Sequence, residues 1–279
     1  MSHSTSNKDY KLSYSVGVAE DVNKIYRPTM EDVHTYVENF VERLDWGYFA
    51  IFDGHAGKQA AKWCGQNLHS IVEKKLIEDE NEDVRDILNE SFLEADENIV
   101  KTVEGSSGCT AAVAILRWEL PENKTASELT DLSQHKRMLY TANVGDTRIV
   151  LFRNNKAIRL TYDHKASDKH EINRIEKSGG LIMKSRVNGM LAVTRSLGDQ
   201  FFKDLVIGSP YTTSVELNKD TDKFLIIACD GLWDVISDQQ ACELIRDIED
   251  STLAAKKLVE HALNKLTTDN ITVMVISLR

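Results

Sequence analysis

The sequence predicts an α+β fold built on antiparallel sheets, and three observations carry that expectation. Apolar runs of strand length recur along the chain, several of them next to an acidic residue. Segments with apolar residues at helical spacing come in pairs between groups of strands. Short polar turns join strand to strand, which favours antiparallel pairing over a parallel βαβ sheet.

Taken in order, residues 1–11 are polar and are expected to form a disordered tail, with a single domain over 12–279. "LSYSVGVAE" (12–20) alternates Tyr14, Val16 and Val18 on one face, as a half-buried strand does. "MED" places Glu31 and Asp32 before a candidate strand at 33–40. "YFAIFDGHAG" (48–57) is an apolar run that stops on Asp53, Gly54 and His55. Two helices should follow. Ala60, Cys64, Leu68, Ile71 and Val72 keep helical spacing in the first; Val84, Leu88, Phe92, Ala95, Ile99 and Val103 do so in the second. "CTAAVAIL" (109–116) reads as a strand, and the polar stretch 121–137 as a surface loop. "LYTANVGD" and "TRIVLFRNNKAIRLT" read as antiparallel strands turned at Asn154-Asn155. A charged helix over about 168–178 ends at Gly179-Gly180, and "SRVNGMLAVTRSLGD" (185–199) follows. "FLIIACDG" is a buried strand, two helices occupy about 238–266, and "ITVMVISL" (271–278) closes the chain.

The 279 residues are 42% hydrophobic, enough for a sizeable core. With 34 Lys+Arg against 44 Asp+Glu, the net charge of −10 makes the chain a poor binder of nucleic-acid backbones. Cys64, Cys109, Cys229 and Cys242 form no C-x-x-C pair and read as reduced core residues. The start of the chain lacks an apolar signal segment, and no run reaches 18 apolar residues. A soluble intracellular protein is the expectation.

The acidic residues beside strands carry the chemistry. Asp53 and Asp230 each follow an apolar strand and precede glycine; Asp146 ends "YTANVGD", and Asp269 stands before the last strand. Glu31-Asp32 adds a further pair. A lone Asp-Gly after a strand is ordinarily a turn, His55 alone a capping residue, and Arg27 alone a solvated charge. Together they read differently. Carboxylates converging on one edge repel unless protons or a cation intervene. All-oxygen ligation without paired His or Cys points to Mg²⁺ or Mn²⁺. Two such ions would activate water for an in-line phosphoryl displacement, with one Asp bridging and Gly54 offering its carbonyl. Neighbouring strand residues face opposite ways, so one of Glu31 and Asp32 should ligate directly and the other through water.

"RPTMEDVHTY", "FAIFDGHAG", "SGCTAAV", "TANVGDTRIVL", "YDHK", "RVNGMLAVTRSLGD", "ACDGLWDV" and "TTDNITVMV" stand in the order typical of type 2C Ser/Thr protein phosphatases. The chain resembles this metal-dependent PPM family from about residue 14 to 278. The resemblance implies a four-layer α/β/β/α sandwich with metals at one end. It implies that Asp53 bridges two Mn²⁺ or Mg²⁺ ions, with Gly54 lending a carbonyl. Asp230, Asp269 and Glu31 would ligate, Asp32 would support, and Asp146 with Asp234 would match a weaker third-metal position. Arg27 would bind phosphate and His55 serve as general acid. Residues 165–195 resemble the flap beside the substrate groove, although "DHKAS" has Ala166 where the family usually has proline. Arg186 and Arg195 could meet phosphate or hold the flap, with structure favoured.

The compact form looks most like short fungal members acting on stress-activated MAP kinase pathways. Phosphorylated proteins, MAP kinases among them, and an adaptor are the expected partners of a monomer in cytoplasm and nucleus. A catalytically dead phosphoprotein-binding module would lack ligands, and none is missing. A metal-dependent phosphodiesterase would need a basic groove, against which the net charge argues. Cys64, Cys109 and Cys229 all lack the arginine six positions on that a cysteine phosphatase requires.

Overall fold

The computed structural model describes residues 11–120 and 135–279. Most of the expected N-terminal tail, and positions 121–134 of the expected surface loop, lie outside the described residues.

Two five-stranded antiparallel sheets stack face to face. The first runs in the order Tyr14–Asp21, Ile271–Leu278, Asp222–Ala228, Arg148–Arg153, Lys156–Arg159. The second runs Tyr211–Glu216, Lys136–Val144, Ala111–Glu119, Gly47–Phe52, Val33–Glu38. Among the described residues, six helices complete the fold: α1 (Gln59–Glu78), α2 (Val84–Thr102), α3 (Lys169–Lys177), α4 (Asp230–Trp233), α5 (Asp238–Ile245) and α6 (Ser251–Asn264).

Three cores show the layering. Phe49, Ile51, Ala114, Leu151, Ile227 and Met274 meet between the sheets. Tyr48, Ala50 and Phe52 turn the other way, against Leu68 and Val72 of α1 and Leu88 and Phe92 of α2. Ile226, Val273 and Val275 do the same against Cys242 of α5 and Leu258 of α6. Each central strand is therefore buried on both faces. That is why "YFAIF" is an unbroken apolar run rather than an alternating one. The order helix, sheet, sheet, helix is the sandwich expected. All four cysteines are free and buried. No helix among the described residues is long and apolar enough to cross a membrane.

Helices α2, α3, α5 and α6 begin where side chains satisfy free amides. Asp83, Asp168 and Asp250 cap α2, α3 and α6, and Ser237 with Gln240 forms a capping box on α5. Asn154 and Asn155, with φ of 50° and 60°, turn the hairpin from Arg148–Arg153 into Lys156–Arg159. One reading needs correction. "LYTANVGD" is not a partner of "TRIVLFR": the first lies in the second sheet and the second in the first sheet. The chain changes layers at Gly145–Asp146. Both strands face the core between the sheets, through Leu139 on one side and Ile149 and Leu151 on the other. Their opposite faces pack in different helix-covered cores, Ala142 and Val144 in one and Val150 and Phe152 in the other.

The flap is a small unit of its own. It comprises α3 and the two-stranded ribbon Ile182–Met183 with Arg186–Val187, closed over Ala166, Ile175, Val187 and Val206. Ala166 N–H donates to Ala192 O at 2.9 Å, a bond proline could not make. The departure at this position therefore ties the flap's entry to its return.

Candidate metal centre

A cavity of about 480 Å³ opens at one end of the sandwich, lined by Arg27, Glu31, Asp53, Gly54, His55, Asp146, Asp230 and Asp269. Eight residues from five separate stretches of sequence thus share one wall. Asp32 and Asp234 lie outside that lining.

Asp53 stands one residue past Gly47–Phe52, and its backbone carbonyl accepts the Thr110 N–H at 2.9 Å. Gly54 follows because the chain passes close to Glu31. A Cβ there would lie 2.5 Å from the Glu31 carbonyl oxygen. Asp230 opens α4 as its first residue, directly after the strand Asp222–Ala228 and Cys229. Asp269 accepts the Asn270 N–H at 2.7 Å through Oδ1 and Arg27 Nη2 at 2.6 Å through Oδ2. Arg27 also donates from Nε to Thr268 O at 3.3 Å. The predicted phosphate binder and a predicted ligand are thus paired with each other.

Glu31 and Asp32, just before the strand Val33–Glu38, place their carboxylates differently. The Glu31 carboxylate faces the cavity and accepts the Gly57 N–H at 3.2 Å. Asp32 is buried behind it and accepts the Thr272 hydroxyl at 2.7 Å. Asp146 is buried at the layer change, and Lys165 Nζ lies 3.2 Å from its Oδ2. Asp234, largely exposed, lies 3.4 Å from the same ammonium. Arg195 is engaged within the protein. It binds Glu171 at 2.8 Å and Ser209 O at 3.0 Å, whereas Arg186 reaches the cavity and donates to Met190 O at 2.6 Å.

Electrostatics test whether a cation fits. Desolvation pushes the Asp53 carboxyl well above its usual range, and Asp32, Asp230, Asp146 and Asp269 add to it. Asp230 is driven well up by desolvation, Asp146 and Asp269. Burial lifts Asp32 to about 6. One Asp230 oxygen, Oδ1, is buried without a hydrogen-bond partner. Each observation marks a missing positive charge, which a divalent ion with oxygen ligands supplies. Among the described residues, Asp32, Asp53 and Cys229 hold ligand atoms within 4.8 Å of one another. The thiol is not part of the donor set. Burial raises its pKa far up, and its sulfur is engaged with Thr272 N–H at 3.2 Å and Asn270 O at 3.5 Å.

Two residues that the sequence reading assigned no role organise this end. Asp199 accepts the Ser196 hydroxyl and lies 2.6 Å from His55 Nε2. A three-stranded ribbon places Gly54–His55 and Leu197–Gly198 on either side of Gly108–Cys109. Gly108 leaves room for the carboxylate, since a Cβ there would sit 2.1 Å from Asp199 Oδ2. Asn270, the second, accepts Glu31 N–H at 2.9 Å and donates to Val22 O and Thr29 O. It thereby fixes the loop that carries Arg27 and Glu31. The only hint of either was its place beside a quoted acidic motif.

The comparisons with known proteins agree with this geometry. A family described as Protein phosphatase 2C matches residues 16–271. The chain is 66% identical over 269 residues to Protein phosphatase 2C homolog 1 of Saccharomyces cerevisiae, covering 96% of this chain and 95% of that protein. It is 45% identical over 267 residues to Protein phosphatase 2C homolog 1 of Schizosaccharomyces pombe, covering 95% of this chain and 74% of that protein. In fold it resembles serine-threonine phosphatase 2C from Toxoplasma gondii, with a TM-score of 0.75 at 21% identity over 95% of each chain. It also resembles a C. elegans sex-determining protein, with a TM-score of 0.83 at 23% identity over 98% of this chain and 66% of that one. The chain belongs to the protein phosphatase 2C family of protein serine/threonine phosphatases.

Proposed function

We propose that this phosphatase domain, over 12–279 with its flap at about 165–195, hydrolyses phosphoserine and phosphothreonine at the carboxylate-lined cavity, using two Mg²⁺ or Mn²⁺ ions. Asp53, Glu31, Asp230, Asp269 and the Gly54 carbonyl would hold those ions, with Asp32 supporting from behind. Asp146 and Asp234 would take a weaker third. When bound, the ions supply an activated water and offset the charge of the phosphoryl group.

The chain's own groups do the rest. Arg27, on the cavity rim, exchanges part of its contact with Asp269 for phosphoryl oxygens and so orients the substrate. His55 lies in the same wall and gives a proton to the departing serine or threonine oxygen. Asp199 holds its ring. The single observation that carries this reading is that carboxylates from separate strands meet at one cavity beside Arg27 and His55.

Phosphorylated kinases of stress-activated MAP kinase pathways are the proposed substrates, reached as a monomer in cytoplasm and nucleus with the help of an adaptor. The match covers 95% of Protein phosphatase 2C homolog 1 of Saccharomyces cerevisiae, which supports reading the chain as a compact phosphatase of the fungal kind. The test is hydrolysis of phosphothreonine peptides by purified protein after chelation. Activity should vanish and return with Mn²⁺ or Mg²⁺; full activity in excess chelator would overturn the metal-dependent reading. A phosphoproteome comparison with and without active enzyme then decides the pathway.

A further inference from the structure

Lys165 brings a fixed positive charge to the acidic end of the cavity. Its Nζ lies 3.2 Å from Asp146 Oδ2 and 3.4 Å from Asp234 Oδ1, so one ammonium bridges two carboxylates that come from different sheet connections. The Asp146 side chain is 8% exposed and that of Asp234 59%, so the ammonium sits at the boundary between protein and water.

Its placement is not left to a flexible stem alone. His164 N–H donates to Gly145 O at 2.8 Å, which anchors the segment to the loop that carries Asp146. On the other side, Thr194 N–H donates to His164 O and Ala166 N–H to Ala192 O, each at 2.9 Å. These bonds make Lys165 the partner of Val193 in an antiparallel bridge to the flap's return. Lys165 is therefore held between the metal-centre loop and the flap, with its charge aimed at Asp146.

We propose that the Lys165 ammonium is an internal competitor for the Asp146–Asp234 carboxylates, set in place by the flap, and that it weakens the binding of a third divalent ion there. Two cations cannot share a carboxylate pair at these distances without strong repulsion. A third ion must displace the ammonium, and the tight two-ion site at Asp53 is left untouched. The inference rests on the metal-centre reading above.

Calorimetric Mn²⁺ titration of metal-stripped protein, alongside Mn²⁺ electron paramagnetic resonance to count bound ions, tests it without reference to activity. Lys165→Gln should keep the two tight ions and bind the weak one about 10-fold more tightly, roughly the effect of removing one partly screened charge. Lys165→Arg, which keeps the charge, should stay near the parent. Adding Asp146→Asn to Lys165→Gln should abolish the gain. Equal weak-site affinity in parent and Lys165→Gln, or no weak ion in either, with two tight ions in both, overturns this proposal and leaves the metal centre standing. Absence of tight ions in the parent overturns the metal-centre reading, and the proposal falls with it.

Discussion

Glu171 and Asp53 are both carboxylates drawn out of water, and the chain treats them in opposite ways. Glu171 on α3 is surrounded by donors: Arg195 at 2.8 Å, Arg174 at 3.0 Å and the Thr194 hydroxyl at 2.8 Å. Burial alone would raise its pKa, but the Arg195, Arg174 and Thr194 bonds overcome that and hold the group down to about 2. Asp53 meets other acids instead. Desolvation and its neighbours Asp32, Asp230 and Asp146 push it far up. The same residue type is thus a fold-closing clamp in one place and an unfinished charge in the other. The clamp carries its counter-charge in the chain; the metal centre leaves it to a ligand.

The widest separation between the two should come from neutralising each. Asp53→Asn removes a ligand and should lower phosphopeptide turnover by more than the roughly 10- to 100-fold typical of outer-shell changes at metal sites. The metal-free protein should lose no stability, because a repelling charge has gone. Glu171→Gln should do the reverse. It leaves two guanidiniums without their anion at the base of the flap. They are partly exposed, so about 2 kcal/mol of lost stability is expected, below the roughly 3–5 kcal/mol of a fully buried broken pair. Urea denaturation in chelator, beside initial rates in Mn²⁺, measures both. Similar stability losses in the two variants would erase the contrast.

Acidity should separate the regions next. In the metal-free protein Asp32 rises from 3.8 to about 6, so between those values the folded state binds more protons than the unfolded one. Stability therefore increases as pH falls from about 7 towards 4, by about 2 kcal/mol. Glu171 has the other sign. Its folded value lies below its unfolded one, so its contribution is full above about 4.5 and is lost as pH drops towards 2. Chelated protein should be more stable at pH 5 than at pH 7.5, and Mn²⁺ should reverse that order because the ion needs ionised carboxylates. A slope indifferent to metal would mean that the acidic cluster holds no ion.

The contrast also explains what could be read without a structure. Asp53, Asp146, Asp230 and Asp269 were legible because each adjoins a run of apolar residues, where a carboxylate has no packing reason to be. The sandwich was legible from runs buried on both faces. Tyr211–Glu216 was not, since the edge strand carries exposed and half-buried residues such as Thr212 and Ser214, with no strong apolar signal. Asp199 was hidden for another reason. It sits in a loop with φ of 51°, and its partner His55 is 144 residues away. No period or spacing encodes a pair made by a ribbon of three two-residue strands. The same holds for Lys165, which attracted notice only for the residue after it.

Asp199 yields the smallest effect and the finest distinction, because it is a compensated acid that serves the uncompensated site. Its carboxylate lies 2.6 Å from His55 Nε2 and accepts the Ser196 hydroxyl as well, so it fixes one ring nitrogen and leaves the ring in the cavity wall. A general acid is worth about 10²–10⁴-fold when the leaving group is poor, and a misaligned one retains part of that. Asp199→Asn should therefore slow phosphopeptide hydrolysis by about 10-fold through kcat, with KM nearly unmoved. p-Nitrophenyl phosphate, whose phenolate departs without a proton, should change by less than about 2-fold. His55→Gln should show the same selectivity more strongly, and adding Asp199→Asn to it should cost little more, since two residues acting through one proton are not additive. Mn²⁺ affinity should hold throughout. Equal losses on both substrates, or full additivity in the double variant, would place Asp199 in the support of the Gly108–Cys109 ribbon rather than behind the acid.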